Sequence, residues 1–247
     1  MLSKKIVKYI QSLSHKKYRD EEGAFIAEGP KIIAELLASQ NFTCKIVCAE
    51  KEWISANKDL FNSSPSNIYE IDEASLQKIS LLKTPNKVVA IFSKKELGKQ
   101  PELSNKISLA LDGIGNPGNM GTIIRIADWF AIENIICSED CVECYNPKVV
   151  QSTVGSLARV NILYTDLKSF FLSNKNISIY AATLSGKNVS EFKNIHEGFI
   201  LIGNESKGIS KELLTISKNQ ITIPRYGNAE SLNAAVATGI ILSHMRP

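Results

Sequence analysis

Short apolar runs rich in β-branched residues alternate with helix-period stretches along nearly all of this 247-residue chain. FIAEGP (25–30), CKIVCAE (44–50), Ile68–Ile71, KVVAIFS (87–93), ISLALD (107–112), NIICS (134–138), ISIYAAT (177–183), GFILIGNE (198–205) and QITIP (220–224) read as strands, some running into turns. A continuous apolar run of this length suits a strand covered on both faces. Helices between such strands are the connections a parallel sheet requires, so the expected class is α/β. Helices are expected over 2–13, 31–39, 73–81, 120–131, 146–158 and 231–245. Ser231 is the expected N-cap of the last.

One stretch breaks the alternation. KKELGKQPELSNK (94–106) is polar and carries Gly98 and Pro101, which reads as a linker. It separates residues 1–93 from 107–247, both acceptable domain sizes. The chain is 44% hydrophobic and 22% charged, an ordinary globular balance. No apolar run reaches the length of a membrane span. The N-terminus shows no apolar core followed by a small-residue cleavage site, and five cysteines are too few for a disulfide framework. A cytoplasmic protein is expected. No pair of the three histidines has ligand spacing, so no metal is expected.

The net charge of +4 is unevenly placed. Residues 1–19 hold Lys4, Lys5, Lys8, Lys16, Lys17 and Arg19 and no acid, with Tyr9, His15 and Tyr18 interleaved. Cations beside flat rings suit a phosphate backbone and exposed bases. A solvated helix face produces the same pattern.

Chemistry is expected where parallel strands end. Three such junctions are rich in Gly, Asn and Ser: DGIGNPGNMGTIIR (112–125), LIGNESKGIS (201–210) and IPRYGNAESLNAAVA (223–237). Gly113, Gly115 and Gly118 spell G-x-G-x-x-G, a dinucleotide-binding pattern. Here Pro117 occupies the turn and helical pattern begins only after Asn119, which leaves the third glycine outside the helix. In the other reading Asn119 caps that helix, and Arg125 lies two turns in, able to grip a phosphate bidentately. Ordinary pairing of Arg125 with Asp128 or Glu133 is the bland alternative.

Taken together and in this order, the junctions resemble the three signature motifs of the SpoU (TrmH-like) branch of the SPOUT RNA methyltransferases: NPGNMGTIIR (116–125), LIGNESKGIS (201–210) and IPRYGNAESLNAAVA (223–237). KYRDEEGAFIAEGPK (17–31) is similar to the substrate-binding domain that often precedes them. The resemblance implies an α/β protein whose C-terminal parallel-sheet SPOUT domain has a deep C-terminal trefoil knot, preceded by a small α/β substrate-binding domain. It implies S-adenosylmethionine as methyl donor and a ribose 2′-hydroxyl of RNA as acceptor, ribosomal RNA ahead of transfer RNA. It further implies a homodimer through the C-terminal domain, each site drawing on both subunits. Residue by residue, it assigns catalysis to Asn119, Arg125, Glu205, Ser231 and Asn233, and cofactor contact to Thr183, Gly203, Ile223 and Leu232. Two positions depart from the pattern: Arg225 stands where a small or apolar residue is usual, and Gln151 where arginine is common.

Two other readings compete. A catalytically silent RNA-binding protein could use the same fold. Cys137, Cys141 and Cys144 form C-x₃-C-x₂-C, the spacing of radical S-adenosylmethionine enzymes, but too few residues follow to build the usual barrel.

Overall fold

The computed structural model describes residues 2–61, 67–95 and 101–245. In chain order come α1 (Lys4–Ser12), α2 (Lys16–Glu22), β1 (Ala24–Glu28), α3 (Pro30–Ala38), β2 (Cys44–Ala49), α4 (Lys51–Ala56), β3 (Ile68–Glu70), α5 (Glu73–Ile79) and β4 (Val88–Ser93). There follow β5 (Ile107–Asp112), α6 (Pro117–Trp129), β6 (Asn134–Cys137), α7 (Pro147–Thr153), β7 (Asn161–Tyr164) and α8 (Leu167–Ser173). The chain closes with β8 (Ile179–Asn188), β9 (Gly198–Gly203), α9 (Lys211–Ile216), β10 (Asn219–Thr222) and α10 (Ala234–Met245).

The chain forms two compact units, Met1–Glu96 with Glu143–Ala158, and Leu97–Val142 with Arg159–Pro247. The sequence reading gave 143–158 to the second half; in the structure these residues pack with the N-terminal sheet. Side chains far apart in sequence draw them there. Arg19, 2% exposed, donates from Nε and Nη2 to both carboxylate oxygens of Glu143, at 3.3 and 2.9 Å. The Tyr145 ring stacks on Phe25 with centroids 4.8 Å apart. Of the expected linker, residues 96–100 lie outside the described residues.

The first unit has a mixed sheet in the order β1-β4-β2-β3. Its core brings together Ile10, Leu13, Ile26, Leu76, Ile79 and Ile91. Ser3 Oγ caps α1 by accepting from Ile6 N, and Pro30 opens α3, where its missing N–H costs nothing. Lys4, Lys5, Lys8, Lys16 and Lys17 are exposed, as is Tyr18. Arg19, counted among them from the sequence, is instead a buried structural cation. Its Nη1 donates to Leu13 O and Ser14 O, both at 2.9 Å.

The second unit is built on a six-stranded sheet in the order β10-β8-β9-β5-β6-β7, parallel throughout. Its central strands β5, β6 and β9 are buried nearly end to end, as a sheet with helices on both faces demands. Phe171, Phe199, Leu201 and Leu213 anchor one side of its core. The order sets the carboxyl ends of β10, β8, β9 and β5 in a row, and β5 pairs β9 through to Asp112 opposite Gly203.

The edge pairing is irregular. β10 matches Gln220 with Ala181, then Ile221 with Lys187, so residues 182–186 of β8 arch away. At the foot of the arch a Cβ on Gly186 would sit 2.4 Å from the backbone carbon of Gln220. Only glycine admits so close a crossing.

Candidate active site

All three motif loops leave this row of carboxyl ends, and side-chain hydrogen bonds tie them together. α6 begins at Pro117, earlier than the sequence reading placed it, and Asn116 rather than Asn119 is its cap. Asn116 Oδ1 accepts from Gly118 N at 2.8 Å and Asn119 N at 3.2 Å. Gly118 therefore lies inside the helix. α10 begins at Ala234, and its cap is Asn233, not Ser231. Asn233 Oδ1 accepts from Ala235 N at 3.0 Å and Val236 N at 3.2 Å.

That cap fixes the direction of everything upstream. With Oδ1 held by two backbone N–H groups, Asn233 presents its Nδ2 as a donor, 2.8 Å from Asn119 Oδ1. Asn119 in turn has only its own Nδ2 to offer, which donates to Glu205 Oε1. One-way donation thus runs from the start of α10, through the first turn of α6, to the loop after β9. Three of the five residues assigned to catalysis are joined in it: Asn119, Glu205 and Asn233.

Arg125 and Ser231 stand outside it. Both are exposed and make no hydrogen bond or ion pair among the described residues. Arg125 shares the open face of α6 with Thr122 and Trp129, the last 85% exposed. Its two bland partners are taken: Asp128 is held by Arg159 Nη2 at 2.8 Å, and Glu133 by Lys106 Nζ at 2.7 Å.

Further residues brace the loops, and the sequence reading passed over them. Asn204 Nδ2 donates to Gly113 O at 2.7 Å, while its Oδ1 accepts from Ser206 N and Lys207 N. Asp112 Oδ2 accepts from Ser210 N at 2.7 Å. The available signal was an Asp or Asn where β5 and β9 meet their loops, since short polar side chains hold backbone turns.

Of the positions assigned to cofactor contact, Gly203 is explained by the loop itself. The chain folds back in an Asn204–Gly208 bridge, and a Cβ on Gly203 would lie 2.4 Å from the carbonyl carbon of Gly208. Thr183, on the arch of β8, is different. Its Oγ1 is buried with no hydrogen-bond partner among the described residues, a state shared with Ser108 inside β5. A buried hydroxyl left unmade costs roughly 1–3 kcal/mol, so a bound group carrying donors or acceptors fits there. Ile223 is half-buried and Leu232 is 48% exposed. These apolar side chains open each end of the third loop and suit the flat face of a heterocycle. The residues present fit S-adenosylmethionine.

The C-x₃-C-x₂-C cysteines are buried and form no disulfide among the described residues. Cys141 Sγ accepts from Ile114 N at 3.2 Å and donates to Leu111 O at 3.3 Å. Hydrogen bonds, that from Cys137 foremost, hold its thiol below the usual range. Among the described residues no three His, Cys, Asp or Glu side chains are placed to hold a metal ion.

A parallel sheet with three mutually tied loops at its carboxyl ends brings the three motifs into one region of the second unit. Residues 106–243 match the SpoU rRNA Methylase family, and residues 4–90 match the MRM3-like substrate binding domain. The chain belongs to the SpoU rRNA methylase family. It is similar to the 23S rRNA (guanosine(2553)-2′-O)-methyltransferase RlmP of Bacillus subtilis (strain 168), at 26% identity over 97% of this chain and 95% of that protein. Among solved structures it resembles a TrmH-family RNA methyltransferase from Porphyromonas gingivalis, with 33% identity, TM-score 0.88, and 100% and 98% of the two chains covered. It also resembles the AdoMet-bound rRNA methyltransferase of Sinorhizobium meliloti, with 28% identity, TM-score 0.85, and 99% and 95% covered.

Proposed function

We propose that this protein transfers a methyl group from S-adenosylmethionine to a ribose 2′-hydroxyl of ribosomal RNA. The observation that carries the reading is the hydrogen-bond chain from Asn233 through Asn119 to Glu205, which joins all three motif loops. Exposed polar side chains hold such a geometry against competing water only where the loops are built to converge.

S-adenosylmethionine, when bound, supplies an electrophilic sulfonium methyl. The chain's own task is to place the ribose and ease the loss of its proton. Arg125 is free to do the first. Its guanidinium keeps its proton near neutral pH, so it acts as a clamp on the adjacent phosphate and stabilises the developing alkoxide. The adjacent phosphate helps to accept the proton that the hydroxyl gives up as it takes the methyl group. Asn119 and Asn233 fix Glu205 and with it the loop after β9, and Ser231 orients the ribose. Thr183, Gly203, Ile223 and Leu232 hold the methyl donor.

The assembly is a homodimer through the C-terminal half, each site completed by the second copy. The exposed Trp129 on α6 and Val236 on α10 supply apolar area for it. The family resemblance implies that the C-terminal segment forms a deep trefoil knot. The first unit, with its exposed lysines and Tyr18, grips RNA shape and phosphates. The protein works in the cytoplasm, and no helix among the described residues is long and apolar enough to cross a membrane.

The test is to map 2′-O-methyl sites in total RNA from a deletion strain against its parent. One ribosomal position should lose its methyl group. Loss confined to transfer RNA replaces the substrate. Full retention, with no S-adenosylmethionine binding by calorimetry, selects the silent reading.

A further inference from the structure

Between Ile223 and Asn233 the third loop is more open than its neighbours: every residue from Arg225 to Asn233 is exposed. Within it Tyr226 is 98% exposed and makes no hydrogen bond or ring contact among the described residues. A phenol ring fully in water contributes nothing to the fold, since its apolar area is not buried. The loop is nonetheless held. Arg225 Nη1 donates to Ala229 O at 3.4 Å, closing a turn around Tyr226. Its far end is pinned by Asn233, through the cap of α10 and the bond to Asn119. The ring is therefore displayed from a braced loop.

Its place is bounded by chain length. Tyr226 lies three residues past Ile223, and an extended chain covers at most about 3.5 Å per residue. Its Cα is thus within about 10 Å of a residue proposed to hold the methyl donor. The neighbours in sequence are Arg225, Gly227, Asn228, Ala229 and Glu230. A lone aromatic among polar and charged residues lacks the apolar surround of a protein–protein interface core. A ring beside a guanidinium is what single-stranded RNA sites use to stack an unpaired base and hold its phosphate.

We infer that Tyr226, backed by Arg225, is a stacking platform for a nucleobase of the RNA next to the methylated ribose. The inference rests on the proposed methyltransferase function and adds to it a residue that positions the substrate. Tyr226 takes no part in the chemistry; it fixes which nucleotide enters.

The test is steady-state methyl transfer by the full chain onto ribosomal RNA from a strain lacking the gene. Tyr226→Ala should raise KM for RNA by about 5- to 150-fold, the range of base–aromatic stacking. kcat should stay within about twofold and S-adenosylmethionine affinity should be unchanged. Tyr226→Phe, which keeps the ring, should behave as wild type. An unchanged KM in the alanine variant overturns the platform. So does a raised KM accompanied by a changed oligomeric state or weakened S-adenosylmethionine binding, which would make Tyr226 a subunit or cofactor-loop residue. If the wild type transfers no methyl group, the methyltransferase reading fails. Fluorescence anisotropy with a short single-stranded RNA then decides the platform by itself: weaker binding by Tyr226→Ala supports it, and equal binding overturns it.

Discussion

Arg19 and Arg125 carry the same side chain and are used in opposite ways. Arg19 is buried, and its donors are spent on Glu143 and on two carbonyls. Lys94 Nζ adds a second cation 3.0 Å from Glu143. Arg125 stands in solvent with its donors unspent, although Asp128 and Glu133 are close in sequence. A satisfied guanidinium holds a fold together, whereas an unsatisfied one on a braced helix is available to a ligand. Composition cannot separate the two, because the difference lies in where the counter-charges have gone.

That contrast can be broken by experiment. Arg19→Ala should have the largest effect on stability, about 3 kcal/mol in chemical denaturation, because it empties a buried site and leaves the Leu13 and Ser14 carbonyls without their donor, while Glu143 keeps only Lys94. Arg125→Ala should leave the melting temperature within a degree or so, since exposed groups without partners contribute little, yet lower kcat by about 10²–10³-fold. Near-normal turnover in that variant would remove Arg125 from the mechanism. Asn233→Asp comes next. Its carboxylate still caps α10 but cannot donate to Asn119, so turnover should fall while stability holds; Asn233→Ala should in addition cost about 1 kcal/mol through the lost cap.

The smallest effect concerns Glu28, which accepts from Ser80 Oγ and, at 2.9 Å, from Leu81 N. Burial holds its carboxyl above the usual range despite those bonds. The folded state therefore takes up the proton before the unfolded state does. Stability from this group grows as pH falls through the raised value, and is fully present below the ordinary glutamate range. Glu28→Gln should flatten that slope in thermal melts between about pH 4 and pH 7.

The strands were legible because a parallel sheet buries both faces, and runs such as ISLALD have little else to become. Helix starts were less so. Ser231 and Asn233 are both good caps; Asn233 wins because Ala234 and Ala235 directly after it are buried. At α6, Gly118 and Asn119 look like breakers, yet Pro117 sits well at a first helical position and Asn116 supplies the cap. α2, α4, β7, α8 and α9 are too short for their periodicity to be read from the sequence. The three loops were legible as motifs, but not the order in which their side chains donate, which depends on two backbone N–H groups at the start of α10. The attachment of 143–158 to the N-terminal sheet had no local signal at all.

That attachment bears on how the protein is made. The partners Arg19 and Glu143 are 124 residues apart, so a ribosome that has delivered all of the first sheet has not yet delivered the anion it closes upon. Until that stretch emerges, the nascent N-terminal half carries a guanidinium without its Glu143 partner and a Phe25 ring still open on the face that Tyr145 covers. Its completion must wait on translation of part of the methyltransferase half.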